Sequence, residues 1–368
     1  MLISVCIPQY NRSKYLLAVL ESIRVQDYPD VEVVVSDDCS SDDSSVAIPR
    51  YIAQVKDTTQ VRFNYIRQPK NLGYDGNLRA ALAAGTGEYL FVLGNDDALP
   101  QPHTLSRLAV ILDQLNYPDV SFTNFHPAGH PEDVQRRART TAVIGSGPAV
   151  ALENFRSFSF VGGLVFKRSA FREHDTAAYD GTVYVQIYLA ARTIAAGGTV
   201  AAIGESLVAK DVRFPGEEIN SYLDTLVRNN QRLHAELGGL DQVGRVGCEA
   251  ILPYVPAGSR QRYLRKIYTQ LLLLTYPYWL LNYRKNGVYR AAVNLALGCF
   301  PSSLIKVSEV SLFSYLSLIV VYLGSTVVGL LVPVGLLGKV ATWISYVSKR
   351  SQSRDEKILK AGTELPAA

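Results

Sequence analysis

Hydrophobic positions change their period along this 368-residue chain, and that change is the first guide to its organisation. Over roughly the first third, short apolar, β-branched runs alternate with segments whose apolar residues recur every three or four positions. Runs at 3–7, 31–35, 61–66, 89–93 and 120–122 predict strands. The near-continuous valines of Val31-Glu32-Val33-Val34-Val35 predict burial on both faces. Between the strands, Leu16, Leu20 and Ile23 mark one helix, Leu78, Ala81 and Leu82 a second over 77–84 ended by Gly85, and Leu105, Leu108, Ile111, Leu112 and Leu115 a third. Strand and helix in alternation is the pattern of an α/β domain with a mostly parallel sheet flanked by helices. β character resumes at 160–166 and 200–203, with a helix over 183–195 between them. The polar, basic stretch 127–148, with Arg136, Arg137 and Arg139, predicts a loop or mobile lid.

From Arg260 onward the pattern is different. The run 267–283 has no charge, holds Trp279 and four tyrosines, and is bracketed by Arg262, Arg265, Lys266, Arg284 and Lys285. Aromatic residues flanked by cations suit a helix lying flat in a headgroup layer, with Trp279 at headgroup depth. A second uncharged run, 310–338, is long enough to cross a bilayer, or to form a re-entrant hairpin broken at Gly324, Gly329, Pro333, Gly335 or Gly338. Lys339, Lys349, Arg350 and Arg354 follow it. Buried core helices are the alternative for both runs. The expected division is therefore 1–125 and 126–225 as two halves of one α/β domain, and 226–368 as a helical C-terminal region.

Composition alters this picture modestly. The net charge of +4 is small, and basic residues thicken beside the apolar runs, which favours an anionic membrane face over nucleic acid as partner. Cys6, Cys39, Cys248 and Cys299 lack the spacing of a zinc site and read as free thiols of a reducing compartment. The first residues lack a positive leader, so the expected location is the cytoplasmic face of the cell membrane.

Three polar clusters fall at successive strand ends: Pro8-Gln9-Tyr10-Asn11-Arg12, Ser36-Asp37-Asp38-Cys39-Ser40-Ser41-Asp42, and Asn95-Asp96-Asp97. A parallel sheet brings such clusters to one rim, where open α/β folds bind ligands. Neighbouring carboxylates repel unless solvated, hydrogen-bonded or neutralised. Asp97, supported by Asp96, can hold Mg²⁺ or Mn²⁺ through hard oxygen ligands and so bridge the two phosphates of a nucleotide. A turn or helix cap is the plainer role of an Asp-Asp pair. Tyr10 can stack on a base, and Asp38 can accept a hydrogen bond from a base N–H. The five histidines share no metal-ligand spacing, and no Gly-rich phosphate loop follows the first strand, which argues against a nucleotidyltransferase.

Four segments in order, I-S-V-C-I-P-Q-Y-N-R from Ile3, V-V-V-S-D-D-C-S-S-D from Val33, N-L-G from Asn71 with Asn77 beyond it, and G-E-Y-L-F-V-L-G-N-D-D-A-L-P from Gly87, resemble the family 2 glycosyltransferases of GT-A fold. The likeness covers roughly the first 120 residues. It implies that Pro8 and Tyr10 frame the nucleobase, that Asp38 with Asp37 contacts base or ribose, and that Asp96 and Asp97 occupy the metal and donor position. Arg12 and Asn77 fall in the same motifs and join the expected nucleotide-sugar site. Gly94 stands where the commoner D-x-D-D form has its first acid. The G-N-D-D-A-L form and the stretch 179–189 are similar to the abequosyltransferase-like branch, which works on bacterial surface polysaccharides.

Many relatives carry a Glu-Asp pair ahead of a helix in the second half, where an inverting transferase needs a base for the acceptor hydroxyl. Here that stretch offers Gln186, and Asp180 is the nearest acid. Asp211, Arg213, Glu217 and Glu218 lie in a Pro/Gly-containing loop that can close over the donor. The expected activity is inverting, metal-assisted transfer of a sugar from a nucleotide-diphosphate donor to a membrane-held, polyprenyl-linked saccharide. The alternatives are a polyprenyl-phosphate sugar synthase and a non-catalytic nucleotide-sugar-binding partner of a polysaccharide assembly complex.

Overall fold

The computed structural model describes residues 1–214, 216, 239–306 and 310–336. Its strands are β1 (Ile3–Gln9), β2 (Val31–Asp37), β3 (Arg62–Arg67), β4 (Tyr89–Val92), β5 (Val120–Pro127), β6 (Ala142–Gly145), β7 (Leu164–Lys167) and β8 (Val200–Lys210). They form one eight-stranded sheet in the order β3-β2-β1-β4-β7-β5-β8-β6. β3, β2, β1 and β4 are parallel, each joined to the next in sequence by a helix: α1 (Ser13–Arg24), α2 (Ser44–Val55) and α3 (Gly73–Ala84). β7 then runs antiparallel to both β4 and β5, β5 pairs parallel with β8, and β6 closes the edge antiparallel, so the sheet is mixed.

Every residue of β1 and β2 is buried, as the continuous apolar runs require of strands covered on both faces. Leu16, Val19, Leu20 and Ile23 of α1 and Leu105, Leu108, Ile111 and Leu112 of α4 (Thr104–Gln114) turn their helical stripes into that core. Beyond β5 come α5 (Gly147–Asn154), α6 (Arg168–His174) and α7 (Val185–Ala195).

The stretch 127–148 is pinned rather than free as a lid. Arg137 donates to the carbonyls of Thr123, Ser157, Phe160 and Gly162, and its guanidinium lies against the rings of Phe125 and Phe160. The Asn124 side-chain oxygen accepts from the backbone N–H groups of Arg137 and Ala138. A basic run that looks solvated in sequence thus supplies the counter-group for a cluster of inward-facing carbonyls.

The chain divides into two units, Met1–Ser221 with Arg245–Val255, and Tyr222–Gly244 with Pro256–Ala368. In the second, α8 (Arg260–Gln270), a π-helical turn (Leu271–Thr275) and α9 (Tyr276–Lys285) follow without a break. The wide turn directly precedes Pro277, whose missing N–H and ring displace the regular ladder. α10 (Tyr289–Gly298) and α11 (Leu312–Leu331) complete the described helices used below.

The run 267–283 buries one apolar face against its neighbours and leaves Leu273 and Tyr278 exposed. Ile267, Tyr268, Leu271, Leu272, Tyr276, Leu280 and Leu281 are buried, and α9 packs along α11. The Tyr276 hydroxyl meets Thr326 Oγ1 at 2.8 Å, and a Cβ on Gly329 would come within 2.5 Å of Leu280 Cδ1. Arg284 Nη1 donates to the carbonyls of Gly329 (2.7 Å) and Val332 (2.8 Å), a cation on the open C-terminal end of a helix. α11 is uninterrupted through Gly324 and Gly329, and Ser311 Oγ caps it by accepting from Ser314 N–H. It ends ahead of Pro333. Among the described residues α11 is the helix long and apolar enough to cross a membrane. Leu312, Phe313, Leu316, Val320, Leu323, Val327 and Leu331 are exposed along it. Gly338, Lys339, Lys349, Arg350 and Arg354 lie outside the described residues.

Candidate active site

The chain leaves β1 toward β2 and β3, then returns to pair β4 on the opposite side of β1, so the strand order reverses between β1 and β4. The carboxyl ends of two such strands leave a crevice between their diverging loops. Gln9, the last residue of β1, organises it. Its buried Nε2 donates to Ser44 Oγ (2.8 Å), and its Oε1 accepts from Asn95 Nδ2 (2.8 Å). Its carbonyl accepts from Asp38 N–H (2.9 Å) and from Asn77 Nδ2 (3.1 Å). Gln9 therefore ties together the loops that follow β2 and β4 and the start of α3. The sequence alone gives Gln9 no role, and a long polar side chain ending a fully buried strand is the signal that marks it.

Pro8 is buried in β1 beside Ser36, whereas the Tyr10 ring is 47% exposed at the rim, open to a stacking partner. Asn11 adopts a left-handed φ of 49°, and its Oδ1 accepts from the N–H groups of Ser41 (2.7 Å) and Asp42 (3.2 Å). That contact ties the β1 and β2 loops together and sets Arg12 at the crevice.

Asp37 and Asp38 are turned into the protein. Asp37 Oδ1 accepts from Ser40 N–H (3.0 Å), and its Oδ2 accepts from the Tyr65 hydroxyl. Asp38 Oδ1 accepts from Leu72 N–H at 2.5 Å, just before α3. Burial raises the Asp38 carboxyl above the usual range, with Asp37 adding to it and the N–H groups of Leu72 and Gly73 opposing.

Asp96 and Asp97 meet charge instead. Asp97 is 3% exposed, with Oδ2 near Gly94 N–H (3.3 Å) and Oδ1 near Asp211 N–H (3.3 Å). Burial, then the charges of Asp96 and Asp211, push its carboxyl up to about 8. Its carboxylate is clamped by two glycines: a Cβ on either Gly94 or Gly162 would stand 2.6 Å from Asp97 Oδ2. A side chain at 94 would therefore require Asp97 to take another rotamer. Asp96 is partly exposed and forms an ion pair with Arg12 across the crevice.

The end of β8 closes over this loop. Ala98 pairs with Ala209, Val212 N–H donates to the Asp96 carbonyl (2.7 Å), and Lys210 Nζ lies 3.4 Å from Asp211 Oδ2. The Phe214 ring rests 4.1 Å from Lys14 Nζ at the start of α1. Arg137 lies behind Gly162, lowered to about 9 by burial and held up in part by the charge of Asp97.

On the acceptor side, Arg79 of α3 bridges Asp175 (Nε to Oδ1, 2.6 Å) and Asp180 (Nη1 to Oδ2, 2.8 Å). Burial raises the Asp180 carboxyl, and Arg79 opposes the rise. Asp75, buried, accepts from the N–H groups of Val183 (2.7 Å) and Val185 (3.0 Å) and so caps α7. Those bonds hold Val183 at a φ of 67°, a strained conformation for a β-branched residue. Gln186 is buried; its Nε2 reaches the Ser159 carbonyl at 3.4 Å, and its Oε1 has no partner among the described residues. Arg213 is exposed, while Glu217, Glu218 and His234 lie outside the described residues. An exposed turn after β5 groups His130, Glu132 and Asp133, with ligand atoms within 4.8 Å of one another.

Comparison with known proteins agrees with this arrangement. Residues 4–175 match the family model described as Glycosyl transferase family 2. The chain is 36% identical over 115 residues to the abequosyltransferase RfbV of Salmonella typhimurium, over 31% of this chain and 33% of that protein. It is 34% identical over 97 residues to the GalNAc(5)-diNAcBac-PP-undecaprenol beta-1,3-glucosyltransferase of Campylobacter jejuni, over 26% of this chain and 30% of that one. The chain thus spans about a third of the length of the curated relatives it matches. In fold it is similar to the crystal structure of S. aureus TarS 1-349 in complex with UDP, with a TM-score of 0.55 at 16% identity over 89% of this chain and 90% of that one. The motifs at the crevice, the mixed sheet that carries them and the family match over 4–175 agree: this chain carries a glycosyltransferase family 2 domain of GT-A fold.

Proposed function

We propose that the protein transfers a sugar from a nucleoside-diphosphate donor, with inversion, to a saccharide acceptor held at a membrane in surface-polysaccharide synthesis. The observation that carries this reading is the convergence of Asp96, Asp97 and Arg12 on the crevice between β1 and β4. The donor set fits a divalent cation. Its ligand atoms are hard oxygens, and Asp96, Asp97 and Asp211 come together where the loop after β4 meets the end of β8. Asp96 and Asp97 would hold Mg²⁺ or Mn²⁺, which when bound neutralises charge on the departing diphosphate.

The chain's own residues do the rest. Tyr10 offers a face to the base, Asn77 and Pro8 shape the floor, and Asp37 and Asp38 keep the base-side loops in place. Arg12 pairs a phosphate oxygen. In the transfer, the acceptor hydroxyl oxygen attacks the anomeric carbon opposite the diphosphate, the bond from that carbon to the diphosphate oxygen breaks, and the hydroxyl proton passes to a carboxylate. We assign that carboxylate to Asp180, which Arg79 orients through Oδ2.

The names of the matched relatives, an abequosyltransferase and an undecaprenol-linked glucosyltransferase, support a lipid-linked saccharide as acceptor. The exposed apolar length of α11 supports attachment to the membrane, at its cytoplasmic face. Gln186 at the position of the expected base favours, as a second reading, a binder of nucleotide sugars that does not turn them over.

Release of nucleoside diphosphate by the purified full-length chain, across a panel of nucleotide sugars with lipid-linked saccharide present, separates the two. Turnover that stops with EDTA and returns with Mn²⁺ is expected, and Asp180→Asn should slow it by roughly 10²-fold at nearly unchanged donor affinity. Donor binding without any release would establish the binder. Val320→Arg with Val327→Arg should move the chain out of the carbonate-resistant membrane fraction, since a charge within a bilayer-facing helix is costly. Retention of both arginines in that fraction would remove α11 as the anchor.

A further inference from the structure

We infer that Arg12 is a resident counter-ion of the donor site, which occupies Asp96 while the site is empty and yields it to a divalent cation when a nucleoside diphosphate binds. This rests on the donor-site reading above and adds an exchange of cations at Asp96 to the coupling that a metal shared with the diphosphate already gives.

The argument begins with the supply of negative charge. The loop after β4 carries two acids, and Gly94 lies against the carboxylates of both. Asp97 is 3% exposed and held between Gly94 and Gly162. The Asp96 side chain is 20% exposed, which makes it the outward carboxylate of the pair. Arg12 reaches it from the opposite lip, and Lys210 stands 3.4 Å from Asp211 in the same way. Two acids of this cluster therefore have a protein cation where a metal would otherwise supply the charge.

Arg12 is built to exchange partners. Its side chain is 29% exposed, so an incoming ligand can reach it. The guanidinium also lies 5.8 Å from the Tyr15 ring centroid, a second resting place on the same helix. A guanidinium has five N–H donors in a planar fork, and a phosphate is as good a partner as a carboxylate. An arriving diphosphate draws Arg12 off Asp96, which uncovers the carboxylate for the metal. A metal arriving first must displace Arg12 without the charged partner that a diphosphate offers it. Metal and nucleotide then bind with positive coupling, and the coupling is the same whichever is added first.

The test measures binding rather than catalysis, on the full-length chain. Free Mn²⁺ is followed by electron paramagnetic resonance in a titration, with and without the tightest binder among ADP, CDP, GDP, UDP and dTDP, and nucleotide affinity is measured separately by calorimetry. Arg12→Gln should bind Mn²⁺ at least ~10-fold more tightly than wild type without nucleotide, bind nucleotide more weakly, and gain less Mn²⁺ affinity than wild type when nucleotide is added. Adding Asp96→Asn to Arg12→Gln should cancel the gain. Arg12→Lys keeps the charge without the fork and should show a smaller gain of the same sign, which preserves the test if the glutamine variant does not fold. Unchanged or weaker Mn²⁺ binding in the folded Arg12 variants, with wild-type nucleotide binding intact, overturns the inference and leaves the donor site standing. Absence of any nucleoside diphosphate binding by wild type overturns both.

Discussion

Asp37-Asp38 and Asp96-Asp97 close the two strands that flank β1, yet their surroundings differ in kind. The first pair accepts from neutral donors, the N–H groups of Ser40 and Leu72 and the Tyr65 hydroxyl, each fixing a neighbouring loop. The second meets charge: Arg12 on Asp96, and Asp96 and Asp211 around the buried Asp97. A carboxylate satisfied by neutral donors needs nothing further and acts as a clamp. One crowded by its own kind is stabilised by whatever brings positive charge, and so is suited to a ligand. Identical dipeptides in sequence thus have unlike chemistry.

Several substitutions sharpen or break that contrast, and the largest effect belongs to Asp96. Asp96→Asn should lower transferase turnover by ~10²-fold or more while the melting temperature moves little, because a surface pair is lost but a metal ligand with it. Equal losses of turnover and stability would make the second pair a clamp as well. Asp37→Ala should do the opposite: removing the acceptor of Ser40 N–H and Tyr65 O–H costs ~1–3 kcal/mol, read as a lowered urea midpoint. An unchanged midpoint would show that these bonds are not what holds the loop.

Asp97 is distinguished by pH. In EDTA, burial and the neighbouring acids hold the proton on Asp97 in the folded chain to higher pH than in the unfolded chain, which releases it near ~4. Above that the folded state binds more protons, so its stability falls as pH rises. The stabilising contribution is complete below ~4 and lost as pH climbs through the raised folded value, and Asp97→Asn should flatten that part of the profile. A slope that persists in Asp97→Asn would assign it to another group. The smallest change is expected for Tyr65→Phe, a loss of ~1 kcal/mol with donor affinity within a few-fold of wild type.

Much of the N-terminal half was legible because strand and helix periods differ and polar clusters punctuate the strand ends. Leu16, Leu20 and Ile23 lie in α1, and the run at 31–35 lies in the fully buried β2. α2 escaped notice because its Ser44-Ser45 start and its Pro49 imitate a loop, and only Ile48 of its apolar residues is buried. The rim was legible as a set of residues but not as a set of orientations. Which way Asp38 points is decided by Leu72 N–H, and which partner Asp96 takes is decided by Arg12, both far away in sequence. Arg137 looked solvated because its four carbonyl acceptors are backbone groups that composition does not reveal. For 267–283, an uncharged helix reads alike in a protein core and at a bilayer, and its partners, Gly329 against Leu280 and Thr326 against Tyr276, are about 50 residues away in sequence.

The glycine clamp on Asp97 also constrains how the protein can change. A side chain at position 94 would meet the carboxylate ends of Asp97 and Asp96, so any substitution there is coupled to the rotamer that Asp97 takes. Gly162 lies against the same Asp97 oxygen, and its carbonyl accepts from Arg137, so a change at 94 is felt in the loop after β4 and in the segment before β7 together. Substitutions in these two segments should therefore depart from additivity, although the residues are far apart in sequence.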